Sequence, residues 1–212
     1  MVNPIRRILI SIGLLGLAVG AVADERETPT ILFYGDSLTA GYGMDDPTVT
    51  AFPAIIQDKI DADGLNYRVI NAGLSGETSS GGLRRINWVM RQPVDVFVLE
   101  LGGNDGLRGL PLELLRDNLQ AILDRVKAKN PEVKFVIAGM RMPPSMGEYA
   151  AKFDALYAPL AATNTAALIP HLLENVGGDP KLNLPDGIHP SAAGHAIVAD
   201  NVWSVLQPLL QP

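Results

Sequence analysis

Four short stretches of this chain carry residues suited to acyl-transfer chemistry: Gly35-Asp36-Ser37-Leu38, Asn71-Ala72-Gly73, Gly102-Gly103-Asn104-Asp105 and Asp186-Gly187-Ile188-His189-Pro190. Together they supply a serine, an Asp/His pair and amide donors. Those are the nucleophile, base, orienting carboxylate and oxyanion donors that opening an acyl bond requires. Ser37 directly follows the apolar run Thr30 to Tyr34. A serine there projects its hydroxyl above a sheet, and its own N–H becomes available to a developing oxyanion. Asp186 and His189 lie three residues apart in a Pro/Gly-flanked turn. A carboxylate at that spacing can reach the ring, hold one tautomer and stabilise the imidazolium. Asn104 follows the strongest apolar run, in a glycine-rich turn that lets backbone approach a ligand closely. Gly73 follows another run and offers a backbone N–H.

Each stretch also has a plainer reading. An isolated Gly-Asp-Ser reads more simply as a turn or helix-capping serine. It is not the Gly-x-Ser-x-Gly elbow, because Ala40 and Gly41 are misplaced for that motif. Asp186 and His189 alone could be an aspartate turn with a surface histidine, and Gly73 a simple turn. The Asn104 run lacks the Gly-x-Gly-x-x-Gly and Lys-containing patterns of phosphate loops. His189 is one of three histidines. His195 falls inside the last helical pattern and reads as packed or half-exposed. His171 has no carboxylate nearby in sequence and reads as structural or solvent-facing. The four stretches gain their force from order and placement, since each sits where a strand should end.

The elements that would place them are legible as alternating patterns. Short apolar runs at Thr30–Tyr34, Tyr67–Ile70, Val94–Leu101 and Val133–Ala138, with a weaker one at Ala166–Ile169, read as buried strands of a parallel sheet. Phe52, Ile55, Ile56 and Ile60 share one helix face, with Pro53 in the first turn. Leu112 to Val126 recur at helical spacing after Pro111, and Asn130-Pro131 stops that helix. A final helix is expected from about Ser191 to Leu209, burying Val198, Val202, Val205, Leu206 and Leu209. The alternation implies a three-layer α/β/α sandwich around a mainly parallel, five-stranded sheet. In such sheets ligands bind beyond the carboxyl ends of the strands.

The first stretch of the chain reads as an address. Arg6 and Arg7 precede an uncharged apolar run, Ile8 to Gly20, and Ala21-Val22-Ala23 offers small residues for cleavage. That is a secretory signal peptide over 1–23, ahead of a single domain over 24–212. The apolar run is shorter than the roughly 20 residues of a spanning helix, so no integral membrane anchor is expected after cleavage. Losing two arginines with the leader takes the formal charge of -6 to about -8 for the mature chain. Nucleic acid is therefore excluded as the main partner, since phosphate contacts need clustered Lys and Arg. Arg84-Arg85, the only adjacent basic pair after the leader, reads as a solvated helix face. With no cysteine there are no disulfides, thiolate zinc sites or cysteine nucleophile.

Ser37, Gly73, Asn104 and His189, in that order, resemble the four signature blocks of the SGNH hydrolases, also called the GDSL family. The resemblance runs from Thr30 to about Leu210, with no signature residue departing from the pattern. The stretches Glu100 to Gly109 and Ser75 to Ser79 resemble the exported bacterial acyl-CoA thioesterase I/lysophospholipase/arylesterase branch. The resemblance implies a flavodoxin-like fold and a triad of Ser37, His189 and Asp186. It also implies an oxyanion hole of the Ser37 N–H, the Gly73 N–H and the Asn104 side chain. No cofactor or metal is implied. The implied partner is a small-molecule acyl ester or thioester; the location expected from the leader is the periplasm or the medium. His189 must be neutral to act as base, so activity is expected to fall as the ring protonates.

Substrate preference is less legible. Met140, Met142, Pro143 and Met146 follow the fourth strand on the same side and could form an adaptable apolar lining for an acyl chain. They read equally as a surface loop packed on the sheet edge. A carbohydrate acetyl-esterase would use the same frame, because fold and triad do not set the substrate. A metal-dependent phosphoesterase would need more histidine and carboxylate ligands. A non-catalytic binding domain leaves the placement of the serine, Asp/His pair and asparagine unexplained.

Overall fold

The five apolar runs become five parallel strands in the computed structural model, which describes residues 28–211. The leader read over 1–23 lies outside the described residues. The strands are β1 (Thr30–Gly35), β2 (Arg68–Asn71), β3 (Val96–Glu100), β4 (Lys134–Ala138) and β5 (Ala167–Ile169), in the order β2-β1-β3-β4-β5. Every neighbouring pair is parallel, with Ile31 opposite Val96 and Gly35 opposite Glu100 in the central pair. β1 and β3 are buried along their whole length. β2, read from sequence as buried, is half-exposed, with Arg68 and Asn71 facing solvent. It is one of the two edge strands, paired among the described residues only with β1.

Two helical layers enclose the sheet, and the shorter helices are α1 (Ser37–Ala40), α2 (Pro47–Thr50), α5 (Gly103–Leu107), α7 (Glu148–Asp154) and α8 (Tyr157–Thr163). On one face α3 (Phe52–Ala62) packs against α9 (Ala192–Leu210), burying Phe52, Ile56 and Ile60 against Val198, Val202 and Leu206. Val205 and Leu209 are only partly buried, at the margin of that stripe. Ser191 caps α9 by accepting from the Gly194 N–H at 3.3 Å. On the other face α4 (Ser79–Val89) packs against α6 (Leu112–Lys129), whose Leu115, Leu119, Ile122, Leu123 and Val126 are fully buried. The Arg84-Arg85 expectation holds for one residue only. Arg84 is exposed, whereas the Arg85 guanidinium pairs with the buried Glu77 and lies 4.4 Å from the centre of the Tyr34 ring. Among the described residues no helix is long and apolar enough to cross a membrane.

This strand order has a functional consequence. The chain leaves β1 toward β2 on one side and then returns past it to build β3 on the other. The loops after β1 and β3 therefore diverge and leave a crevice between them, which is where such sheets bind ligands. Ser37 follows β1 and Asn104 follows β3.

Candidate active site

Ser37 opens the short helix α1 (Ser37–Ala40) directly after β1 and is nearly buried, at 9 % exposure. The preceding Asp36 caps the helix, its Oδ1 accepting from the Leu38 N–H at 3.0 Å. Across the crevice, residues 182–191 form a tight loop. The Leu184 N–H donates to the His189 carbonyl at 2.7 Å and the Ser191 N–H to that of Leu182 at 2.8 Å. Inside the loop Asp186 Oδ1 accepts from the N–H groups of Ile188 and His189, at 2.9 and 3.0 Å. Its other oxygen lies 2.8 Å from His189 Nδ1, and His189 Nε2 lies 2.9 Å from Ser37 Oγ. The carboxylate assigns the tautomer: Nδ1–H donates to Asp186, and Nε2 accepts the serine O–H. The backbone N–H bonds from His189 and Ile188, reinforced by the ring, hold the Asp186 carboxyl down at about 2.

Asn104 sits in α5 (Gly103–Leu107), which starts three residues after β3 ends. Gly102 makes the turn with φ of +123°, and a side chain there would meet the Tyr157 hydroxyl at 2.3 Å. The Asn104 amide donates to Asp36 Oδ2 at 3.0 Å, which leaves its second N–H unengaged among the described residues. The Ser37 N–H is likewise unengaged there. Gly73 differs. Its N–H donates to Asn71 Oδ1 at 2.9 Å, while the Asn71 amide donates to the Thr39 carbonyl at 2.7 Å. Gly73 is thus brought beside α1 with its N–H already shared inside its own turn.

Sequence reasoning assigned no role to several residues that hold the site together. Asp36 is 2 % exposed, and burial raises its carboxyl to about 6 despite the Leu38 and Asn104 donors. Asp105, fully buried, accepts from the Ser79 N–H at 2.8 Å and hydroxyl at 2.6 Å, tying α5 to the start of α4. The Tyr42 ring lies 4.5 Å from the His189 ring, centre to centre. Its N–H donates to the Ser37 carbonyl at 3.0 Å, so this tyrosine touches the segments of both Ser37 and His189. The only sequence signal for Tyr42 is proximity, five residues beyond the serine.

The remaining histidines lie apart from Ser37. His195 is buried in α9, and its Nδ1 accepts from the Phe52 N–H at 3.3 Å, capping α3 where Ala51 offers no side-chain oxygen. His171 Nδ1 lies 3.5 Å from Asp154 Oδ1, a carboxylate that tertiary folding brings in. Met140 and Met142 are buried beneath α5, at 6 and 8 % exposure. Pro143 is exposed, and Met146 half-buried in the short turn Pro144–Met146. Tyr42, Leu74, Leu107 and Ile188 are the exposed large apolar residues on segments carrying Ser37, Gly73, Asn104 and His189. Arg108 links two of those segments, its Nη2 donating to the Gly76 carbonyl at 3.2 Å. Among the described residues no group of three or more His, Cys, Asp or Glu is arranged to hold a metal ion.

The sequence model of the GDSL-like lipase/acylhydrolase family matches residues 33–197. The chain is 37% identical over 196 residues to an esterase, TesA, of Pseudomonas aeruginosa, covering 92% of this chain and 96% of that protein. It is 39% identical over 183 residues to the thioesterase 1/protease 1/lysophospholipase L1 of Escherichia coli K12, covering 85% of each. A crystal structure of TesA superposes with a TM-score of 0.81 at 39% identity, covering 85% of this chain and 99% of that one. The strand order, the crevice it opens and these matches agree: the chain belongs to the GDSL-like lipase/acylhydrolase family and is a carboxylic ester hydrolase.

Proposed function

We propose that the enzyme hydrolyses esters and thioesters of apolar acyl chains through an acyl-enzyme on Ser37. The observation that carries this reading is the continuous hydrogen-bonded line Asp186–His189–Ser37, at 2.8 and 2.9 Å. His189 Nε2 takes the Ser37 proton as Oγ attacks the acyl carbonyl carbon, and the C=O π electrons move onto oxygen. The Ser37 N–H and the free Asn104 N–H receive that oxyanion. Gly73 joins them by sharing or releasing its bond to Asn71. The imidazolium returns its proton to the departing alcohol or thiol, and water activated by the same ring hydrolyses the acyl-enzyme.

The apolar character of the substrate is inferred from Tyr42, Leu74, Leu107 and Ile188. Each keeps 45 to 51 % of its surface exposed on a segment that carries a site residue. Exposed apolar groups collected in this way mark a surface that binds something apolar. Met140 and Met142 contribute from below, as deformable support for α5, with Met146 and Pro143 nearer the surface. Export through cleavage after Ala23 completes the proposal and places the mature domain in the periplasm or the medium.

The test is an activity series on p-nitrophenyl esters of increasing chain length, beside palmitoyl-CoA, for the mature protein and Ser37→Ala. Serine-dependent rates that rise toward medium or long chains support the reading. Rates confined to acetyl esters would redirect it to carbohydrate deacetylation. No serine-dependent turnover on any of them would overturn the role given to Ser37.

A further inference from the structure

Glu100, the last residue of β3, lies in register with Gly35 and is fully buried beneath the nucleophile turn. Its Oε2 accepts three bonds from that turn: the Asp36 N–H at 3.1 Å, the Thr39 N–H at 3.3 Å and the Thr39 hydroxyl at 2.6 Å. A Cβ at position 35 would come within 2.2 Å of Oε2, so Gly35 leaves the space this carboxyl occupies. Asp36, also buried, sits between Glu100 and Asn104 through its backbone N–H and its carboxylate. Among the described residues neither acid forms an ion pair with Lys, Arg or His.

We propose that Glu100 is a positioning residue that carries the single proton of a buried carboxyl pair with Asp36, leaving Asp36 as the anion that orients the Asn104 amide. Two adjacent buried carboxylates without a cation do not both ionise. The hydrogen bonds decide which one holds the charge. Asp36 receives a donor on each oxygen, Leu38 N–H on one and the Asn104 amide on the other. All three donors to Glu100 fall on Oε2, and Oε1 is buried with no hydrogen-bond partner among the described residues. An anion spread over both oxygens suits Asp36, and a proton on Oε1 suits Glu100. Burial pushes the Glu100 carboxyl well above the ordinary carboxylate range, with the Asp36 charge adding to it. The other titrating groups around the pair are Asp105 and Tyr157, together with the His189 ring on the Asp36 side. An anionic Asp36 admits only one orientation of the Asn104 amide, N–H toward the carboxylate, so the second N–H faces the crevice. A neutral Glu100 keeps a second negative charge away from the developing oxyanion.

The inference rests on the roles proposed for Ser37 and Asn104, and its test separates the two. Infrared difference spectra at neutral pH, wild type against Glu100→Gln, should show a protonated-carboxyl C=O band that the variant lacks. Ser37→Ala should keep that band, so its loss of turnover leaves the proton assignment standing. Glu100→Ala should lower kcat by roughly 10- to 100-fold with KM little changed, because the turn loses its anchor. Glu100→Gln, the isostere of the neutral acid, should recover most of that loss. A missing band, or a glutamine variant as impaired as the alanine one, overturns the proposal. Should Glu100→Ala not fold, Thr39→Val serves instead. Losing one donor to Oε2 should shift the C=O band, and an unshifted band counts against the assignment.

Discussion

The side-chain amide of Asn104 donates to the Asp36 carboxylate at 3.0 Å, joining two residues 68 positions apart in the chain. The bond crosses the crevice between the β1 and β3 loops. It ties the residue before the proposed nucleophile to a proposed oxyanion donor.

Asn104→Ala removes both that tie and one proposed donor to the oxyanion. The expected result is a kcat lower by roughly 100- to 1000-fold with KM little changed. Steady-state kinetics on a single p-nitrophenyl ester decide it. A variant at full rate would remove Asn104 from the mechanism.

Asp186→Asn should lower kcat by roughly 100- to 10,000-fold, because a neutral amide neither selects the working tautomer nor stabilises the imidazolium. The pH effect has a definite sign. The carboxyl is lowered from 3.8 to about 2, so its contribution to stability is present above 3.8 and is lost as pH falls through about 2. Acid titration of the wild type followed by circular dichroism, beside the variant, should show that limb in the wild type alone.

His195 works in the opposite chemical sense. Burial lowers its pKa from 6.5 to about 4, with the nearby His189 charge adding to the effect. The unfolded chain therefore binds the proton more tightly. Stability is full above about 6.5 and declines as pH falls toward 4, where Nδ1 protonates and can no longer accept from the Phe52 N–H. Thermal melts between pH 7 and 4 should show the decline. His195→Gln, whose side-chain carbonyl can accept the same bond without titrating, should flatten the slope.

Gly106→Ala tests the support beneath Asn104. The added Cβ would lie 2.4 Å from Met142 Sδ and 2.7 Å from Phe153 Cε2. Overpacking there should cost about 1–3 kcal/mol in denaturant unfolding. It should also lower kcat, since the strain falls on the helix that carries Asn104. Met142→Ala in the same background should restore part of the rate by making room. If unfolding is unaffected, the methionine is not wedged beneath α5.

The sequence by itself determined the strand runs and the layer architecture, and it singled out Ser37, Asp186, His189 and Asn104 as candidates. Each of those rests on a local signal: an apolar run ending in a turn, a Pro/Gly-flanked pair three residues apart, or glycines where backbone must bend. Local patterns of this kind carry no information about partners beyond the next turn. The edge position of β2, the Glu77 partner of Arg85 and the burial of Met140 and Met142 therefore emerged only in three dimensions. The same holds for Asn71 on the Gly73 N–H, His195 as the cap of α3, Asp105 on Ser79, and Asp36 between Glu100 and Asn104. These last relationships span up to 143 residues of chain. They exist because a parallel sheet brings its strand ends together by long crossovers. There burial leaves one of the two acids protonated, the placement of the hydrogen bonds decides which, and geometry decides which N–H remains free.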